Sequence, residues 1–426
     1  MSPLITPPDS DRTRRPFVGW RIAVLATITG AMTGPGQTIG VSVFVDPIIG
    51  DLGLTRSQVS AAYLVGTLLG AIALVRVGRW IDQVGSKRAM TWIGVAFGVG
   101  LVVMSGVNGL VTLVVGFTLI RWLGQGSLGL VSTVSITHWF ERRRGLVFGV
   151  SFTVVSALMA LTPVFLGLAV EAYGWRSAWM IAAAAVWIVV VPIARFGIVD
   201  RPADVGQYVD GDVSPPVHGD LGAASLSRSR REALVESRFW LLNAAVATTA
   251  MLVTALNFHQ ISILGEEGLT ATEAATMFLP QVVGAIVAGL IVGALADRIP
   301  ARFLVALSMA LLVCSLLLVS VVRPGWPVVV YAILLGASAG AQRPLVATLL
   351  PRWYGLIHIG AIQGVSALLG VAASATGPLA LSLVSGWMGG YGPAALLLSV
   401  VPLLIGVATL AIDEPEFVPR TVPAGR

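Results

Sequence analysis

The chain has 426 residues, of which 56% are hydrophobic and only 11% are charged, and its mean hydropathy is +0.87. A soluble domain carries about 25% charged residues, so this composition indicates an integral membrane protein. The net charge of +6 does not indicate a nucleic-acid partner, because the basic residues occur in short clusters between apolar runs. The single cysteine, Cys314, excludes a disulfide framework and a multi-cysteine metal site.

Twelve apolar runs of about 20 residues follow one another, and each is long enough to cross a bilayer as a helix. Their centres lie near residues 31, 67, 98, 123, 158, 186, 251, 284, 311, 338, 370 and 401. The first run, after Trp20, is long and joins the repeating pattern, so we expect no cleaved signal peptide. The pattern predicts an all-α membrane protein with twelve transmembrane helices.

Residues 198–237 form the one long polar stretch inside the chain, rich in Asp, Arg, Pro, Gly and Ser. It falls between the sixth and seventh apolar runs and therefore predicts a linker between two six-helix bundles. The predicted parts are an N-terminal tail at 1–19, a first bundle at 20–197, the linker at 198–237, a second bundle at 238–412 and a C-terminal tail at 413–426.

The two predicted bundles share sequence features at a nearly constant offset of 214 or 215 residues. The matched pairs are Gly78 to Asp82 (GRWID) with Gly293 to Asp297 (GALAD), Trp139-Phe140 with Trp353-Tyr354, and Thr162-Pro163 with Gly377-Pro378. Three matches at nearly one offset indicate that the halves arose by parallel duplication. Transporters built from such repeats hold their substrate between the halves, near the middle of the membrane.

The distribution of basic residues predicts the orientation of the chain. With the N-terminus in the cytoplasm, 22 lysines and arginines fall in the tails, the linker and the cytoplasmic turns, whereas only Arg56, Arg176 and Arg323 fall on the other side. Both termini and the linker are therefore predicted to be cytoplasmic, in the inner (plasma) membrane of the cell. The charged stretch 138–149 (HWFERRRGLVFG) then becomes a cytoplasmic turn between spans four and five.

Several of these motifs resemble those of the major facilitator superfamily, and the resemblance covers essentially the whole chain. The stretch Gly78 to Arg88 (GRWIDQVGSKR) resembles the signature loop after span two, with a weaker copy at Gly293 to Arg302. Arg121 to Gly126 (RWLGQG) and Tyr173 to Arg176 (YGWR) are also similar to superfamily motifs. The resemblance implies two pseudo-symmetric six-helix bundles, a transport function and no enzymatic activity or cofactor.

Within the superfamily, the stretch Trp139 to Gly149 resembles the span-five signature of monocarboxylate transporters. Gly19 to Arg21 and Leu54 to Ser60 also resemble that group and the related oxalate/formate antiporters. The chain departs from the group in its charges: none lies between Arg21 and Asp46 in span one, or between Glu273 and Asp297 in span eight. The antiporters' lysine in span eleven is absent too. Despite these departures, the resemblance to the monocarboxylate transporter group implies a small organic anion, a monocarboxylate, as substrate.

Two arginines lie inside predicted spans, Arg121 in span four and Arg343 in span ten, where charge is costly and marks a functional site by default. An arginine binds a carboxylate bidentately and keeps its charge. Both are therefore predicted to bind an anionic substrate. Arg121 has an alternative structural or coupling role, and Arg343 an alternative role in bonding carbonyl groups freed by Pro344.

Uncharged polar side chains complete the predicted substrate site. Thr33 and Gln37 are four residues apart and so are expected on one helical face of span one. The full predicted set is Arg343, Arg121, Gln342, Gln125, Gln37, Thr33, Asn257 and Gln281. The alternative for each uncharged residue is an ordinary hydrogen bond between helices.

Other residues are predicted to act in conformational change rather than in binding. The resemblance implies that the signature loops latch neighbouring helices, through Asp82, Gly85, Arg88, Asp297 and Arg302. His259, near the outer end of span seven, is a candidate proton-linked group, with a buried structural histidine as the alternative.

Some apparent motifs do not fit their context. Gly124 to Gly129 matches GxGxxG but follows no strand, so it does not predict dinucleotide binding. Pairs of glycines four residues apart, such as Gly336 and Gly340, predict close helix packing instead. No metal-binding or nucleophilic cluster is apparent in the sequence.

The sequence as a whole predicts alternating-access transport of an organic anion, with the lipid bilayer as surroundings and no nucleic acid. Proton symport is implied by the resemblance, while exchange and uniport stay open, as does efflux of a drug or metabolite. The sequence leaves the oligomeric state open, a monomer being sufficient.

Overall fold

The computed structural model describes residues 16–212, 230–296, 298–354 and 359–411, and these segments contain helices and no strand. The first six spans are 19–42, Arg56–Val84, Ser86–Ser105, Leu110–Thr137, 144–173 and 175–197. The second six are Ser237–Glu266, Ala271–Leu295, Ala301–Val319, Trp326–Tyr354, Ile359–Met388 and Tyr391–Leu410. Ten continuous helices in the described residues are long and apolar enough to cross a membrane. One of these, Leu146–Gly197, supplies two spans, and span one is interrupted.

Span one breaks in the middle, so the expectation that Thr33 and Gln37 share a continuous helical face was wrong. The helix Gly19–Ala31 gives way to a 3-10 turn at Gly34–Gly36, and a short helix resumes at Thr38–Ser42. The sequence Gly-Pro-Gly explains the break, since proline lacks a backbone N–H and glycine adds backbone freedom. Carbonyl groups released by the break need other donors.

Spans five and six form one run that reverses direction at Gly174, whose φ of +77° favours glycine. The following Arg176 forms an ion pair with Asp51 and donates a 3.1 Å hydrogen bond to the carbonyl of Val107. Its guanidinium also stacks over the Trp175 ring. Arg176 therefore ties this turn to the short helix Val45–Leu52 and to the loop before span four.

Close helix contact occurs where the glycine pairs predicted it. A Cβ at Gly336 would lie 1.8 Å from the carbonyl oxygen of Gln281, and one at Gly340 would lie 2.0 Å from that of Ala285. Spans eight and ten thus touch through their backbones. The prediction that these glycines serve packing is confirmed.

The turn at 138–149 packs against the linker. The Trp139 indole donates a 3.1 Å hydrogen bond to the carbonyl of Val199, and the ring of Phe17 packs against Trp139 and Phe140. We call this end of the bundle, which carries residues 139–143 and 198–212, the linker end, and the opposite end the far end.

Asp210 in the linker caps the start of span five. Its carboxylate accepts backbone N–H bonds from residues 141–143, at 2.7 to 3.3 Å. Burial works to raise the pKa of Asp210, but these N–H bonds and the charge of Arg142 outweigh it and hold that pKa below its usual value. The carboxylate is therefore charged at neutral pH and fixes the loop to the linker.

Candidate functional site

A cavity of about 790 Å³ lies between the two halves. Spans two and four of the first half and spans seven, ten and eleven of the second half form its walls, mostly with small and apolar residues. The polar residues that line it are Thr67, Arg121 and Gln125 in the first half and Gln342, Gln363, Ser366 and Ser374 in the second. This lining combines one charged side chain with several uncharged hydrogen-bonding groups, among the residues whose side chains the structure describes.

The order of contacts along span two gives the depth of the cavity. Near its start, Ser57 and Tyr63 contact the second half; Thr67 and Leu74 then line the cavity. The helix runs from Arg56 to Val84, so the cavity lies halfway along it. Substrate sites of repeat-built transporters occupy this level.

Arg121 is 4% exposed and lies on the cavity wall. Its Nε donates a 3.1 Å hydrogen bond to the Thr67 hydroxyl, and one Nη donates a 3.1 Å bond to the carbonyl of Gly36. The guanidinium also lies over the Tyr63 ring, 4.9 Å from its centre. Gly36 belongs to the break in span one, so Arg121 satisfies a carbonyl group that the break releases.

The helix that carries Arg121 is locally widened. Residues Ile120–Leu128 form a π-helix inside span four, and the Ser127 hydroxyl donates to the carbonyl of Trp122, five residues earlier. Such bulges are frequent at functional sites. In the described part of the chain Arg121 forms no ion pair with a carboxylate, so its positive charge is not neutralised by an acidic side chain there.

The predicted polar residues divide into two groups. Gln125 and Gln342 line the cavity together with Arg121. Arg343 belongs to span ten, next to Gln342, but its side chain lies outside the part that the structure describes. Thr33, Gln37, Asn257 and Gln281 do not line this cavity.

Three of the residues away from the cavity, Thr33, Gln37 and Gln281, form hydrogen bonds with other side chains. The Gln37 amide donates a 3.2 Å bond to the Thr33 hydroxyl, and the Gln281 amide donates a 2.7 Å bond to Gln260. Spans two and eleven supply walls where span one was expected. Thr67 and Gln363 were not predicted from the sequence, since small and polar residues on these spans give no pattern that separates a cavity face from a packing face.

His259 is fully buried at the far-end level of span seven. Its Nε2 lies 2.9 Å from the carbonyl oxygen of Pro378, and its Nδ1 lies 3.3 Å from the Tyr391 hydroxyl. These partners belong to spans eleven and twelve, so the ring joins helices of the second half. A proton-linked role for His259 stays a prediction.

At the far end, polar contacts close the two halves against each other. Arg56 donates 2.6 Å hydrogen bonds to Asp46 and to the Ser262 hydroxyl, and Ser262 in turn donates to Asp46. Asp46 and Arg56 belong to the first half and Ser262 to the second. We call these three residues the far-end lock. They were not predicted as functional, because their contact joins positions 216 residues apart.

Two further contacts support this closure. The hydroxyls of Ser57 and Ser382 lie 3.0 Å apart across the halves. The rings of Tyr63 and Phe258 pack with 4.7 Å between their centres. The structure is therefore closed at the far end, above the cavity.

In the signature loop after span two, Gly85 has a φ of +84°, which favours glycine. A Cβ there would also lie 2.7 Å from the carboxylate of Asp200. That carboxylate accepts a 2.7 Å bond from the backbone N–H of Lys87, in the first turn of span three. Gly85 thus leaves room for Asp200 to cap this helix, where a negative charge is favourable.

The remaining residues predicted to form the latch belong to both signature loops. Asp82 and Arg88 are both exposed, and no ion pair joins them. Asp297 lies outside the described residues. Arg302 lies in the first turn of span nine, with its guanidinium over the Phe303 ring, 5.0 Å from the ring centre. Their conformational role stays a prediction.

Comparison with known proteins places this architecture in a family. Residues 22–286 match the model of the Major Facilitator Superfamily. Over 368 residues the chain is 26% identical to human (Homo sapiens) monocarboxylate transporter 11, covering 82% of this chain and 73% of that protein. A stretch of 147 residues, 34% of each protein, is 26% identical to a probable sulfoacetate transporter of Cupriavidus necator.

The same fold occurs in two crystal structures of a bacterial homologue of the human lysosomal transporter Spinster, both inward-facing, one unoccupied and one occupied. They superpose with a TM-score of 0.70 at 16% and 17% sequence identity, covering 93% of this chain and 96% of theirs. The predicted all-α, two-bundle membrane fold is confirmed. The chain belongs to the major facilitator superfamily and is a multi-pass membrane transporter, not an enzyme.

Proposed function

We propose that the chain moves a small organic anion, a monocarboxylate, by alternating access, together with a proton. The observation that carries the proposal is the charge of Arg121 on the wall of a cavity halfway along the spans. Monocarboxylate transporter 11 and the probable sulfoacetate transporter are named for small organic anions, which supports the same substrate class.

The electrostatics of Arg121 favour an anion. Its side chain is buried, cannot lose its proton in practice and has no acidic partner in the described part of the chain. Gly36 and Thr67 occupy two of its five N–H donors. A carboxylate entering the cavity would neutralise the charge and could accept the remaining donors. A cationic substrate would meet repulsion at the same position.

The proposed membrane orientation shows which side of the membrane is closed in this structure. With the linker end in the cytoplasm, as the basic residues predict, the far-end lock closes the outer side. The bundles at 20–197 and 238–412 would then rock about the cavity, with 198–237 as the cytoplasmic linker. Transport requires the far-end contacts to break and a linker-end closure to replace them.

The experiment measures uptake of radiolabelled pyruvate and sulfoacetate into proteoliposomes, and thermal stabilisation of the purified protein by each. We expect Arg121→Gln to weaken anion binding by about 10- to 100-fold, since a charge-assisted hydrogen bond contributes about 1.5–3 kcal/mol. Arg79→Gln, which removes an exposed arginine of span two, is the matched control and should bind normally.

Two outcomes would contradict the proposal. One is stabilisation only by a cation, such as tetraphenylphosphonium. The other is equal anion binding by the wild type and Arg121→Gln. Proton coupling is tested separately with an imposed pH gradient, inside alkaline: symport predicts faster uptake, whereas uptake unaffected by the gradient indicates exchange or uniport.

A further inference from the structure

The amide of Gln342 is held in one orientation on the second-half wall of the cavity. The side chain is 8% exposed, and its Nε2 donates to the hydroxyls of Thr249 at 2.9 Å and Ser308 at 3.2 Å. Both N–H groups of the amide are therefore occupied. Its oxygen, Oε1, is the atom left for another partner.

The orientation of this amide follows from its neighbours. The Thr249 hydroxyl donates its proton to the carbonyl of Ala245, and the Ser308 hydroxyl donates its proton to the carbonyl of Val305. Each hydroxyl can therefore act towards Gln342 only as an acceptor. A flipped amide would direct Oε1 at these two acceptors, which is unfavourable, so the amide nitrogen must face them.

Oε1 of Gln342 is buried and has no hydrogen-bond partner in the part of the chain that the structure describes. Ser366, on span eleven, also lines the cavity, and its buried hydroxyl oxygen likewise has no partner there. A buried acceptor without a donor is unfavourable, and such groups are rare unless they serve a purpose. The second-half wall therefore carries a fixed acceptor, Gln342 Oε1, and a hydroxyl, that of Ser366, which could each bond to a polar group of a ligand.

We propose that Gln342 recognises a hydrogen-bond donor on the substrate, so that the preferred substrates are organic anions that carry a hydroxyl group. The inference rests on the proposed function: Arg121 of the first half binds the carboxylate, and Gln342 of the second half accepts from the hydroxyl. One molecule would then contact both halves. An unsubstituted carboxylate would leave Oε1 unpaired.

The burial of Oε1 also assigns this contact to a step. In the far-end-closed state the oxygen is covered, so the substrate hydroxyl reaches it only as spans ten and eleven move around the substrate. The contact between Gln342 and the substrate hydroxyl therefore forms after initial binding, and it promotes closure of the linker end. It should raise the maximal transport rate more than it lowers the concentration for half-maximal uptake.

The test compares propionate with its 2-hydroxy and 3-hydroxy derivatives in proteoliposomes, because the three acids share one charge and one chain length. We expect wild-type protein to transport at least one hydroxy acid about tenfold faster than propionate. Gln342→Leu should lower that ratio to about one, by slowing the hydroxy acid and not propionate. Gln342→Asn, which keeps the amide but withdraws its oxygen, should lower the ratio in the same way. Gln83→Leu, the control at an exposed glutamine of span two that does not line the cavity, should keep it.

The outcomes separate the two proposals. Equal transport of propionate and both hydroxy acids by the wild type would overturn the role of Gln342 and leave the anion function standing. The same holds if Gln342→Asn folds, as judged by its melting temperature, and keeps the wild-type ratio. Transport and binding of none of the three acids would overturn the proposed function, and this inference with it.

Discussion

The hydroxyl of Ser262 connects the two halves at the far end, and its removal in Ser262→Ala tests whether this contact closes that side. The hydroxyl accepts a hydrogen bond from Arg56 and donates one to Asp46, both in the other half. Alanine leaves the direct ion pair between Arg56 and Asp46 in place. The substitution therefore removes the connection between the halves without leaving a charge unpaired.

The size of the effect follows from these contacts. A hydrogen bond to a charged group contributes about 1.5–3 kcal/mol when it is buried. The side chains of Arg56 and Asp46 are 30% and 39% exposed, so water competes for both, and we expect about 1–2 kcal/mol in total. This shifts the equilibrium between far-end-closed and far-end-open states about 5- to 30-fold towards the open state.

A single cysteine at Ser382 reports this equilibrium, in a background where Cys314 is replaced by serine. Ser382 is 4% exposed in the closed state, so a membrane-impermeant maleimide should reach it only when the far end opens. Ser262→Ala should increase the labelling rate about 5- to 30-fold. Ser320→Ala is the control, since that hydroxyl bonds only to Leu317 of its own span. Equal labelling rates in the two variants would refute the role of Ser262.

Two further predictions concern stability. Gly340→Ala should destabilise the protein by about 1–3 kcal/mol, because its Cβ would lie 2.0 Å from the carbonyl oxygen of Ala285. Gly364→Ala, whose Cβ would have nothing within 4 Å and which lies inside a helix, should not lower the melting temperature. Asp210 has a native pKa below its usual 3.8, so the stability it contributes is complete above that value and is lost as the pH falls through the native pKa. Melting temperatures from about pH 5 to about pH 2 should therefore fall more steeply for the wild type than for Asp210→Asn, and parallel curves would contradict the capping of residues 141–143.

The sequence was sufficient to predict the spans, since twelve apolar runs of bilayer length leave few alternatives. It also predicted the contact between spans eight and ten, because glycines four residues apart create a smooth helix face. The break in span one was present in the sequence as Gly34–Gly36 but was not interpreted. The hydropathy of a membrane span is the same whether its helix continues through such residues or breaks at them. Hydropathy alone therefore could not predict the break.

The site was predicted only in part, and the reason is geometric. Arg121, Gln125 and Gln342 are unusual polar residues in apolar spans, so composition alone marks them. Ser366 is a small residue that could equally pack against a helix, so its place on the wall needs the three-dimensional arrangement. The far-end lock depends on Ser262, whose partners are more than 200 residues away, and no local pattern records such a contact.

Under the proposed function, Arg121 would combine two roles, a structural one and the binding of the substrate anion. As a structural group, it binds the Gly36 carbonyl of the broken span one and the Thr67 hydroxyl of span two. Neither partner carries a charge, so these bonds orient the guanidinium without neutralising it. A buried cation that is fixed in position but not neutralised is more selective for an anion than a flexible one, since its orientation is set before the ligand arrives. The break in span one therefore supplies an uncharged carbonyl acceptor, which orients Arg121 at the cavity wall without neutralising its charge.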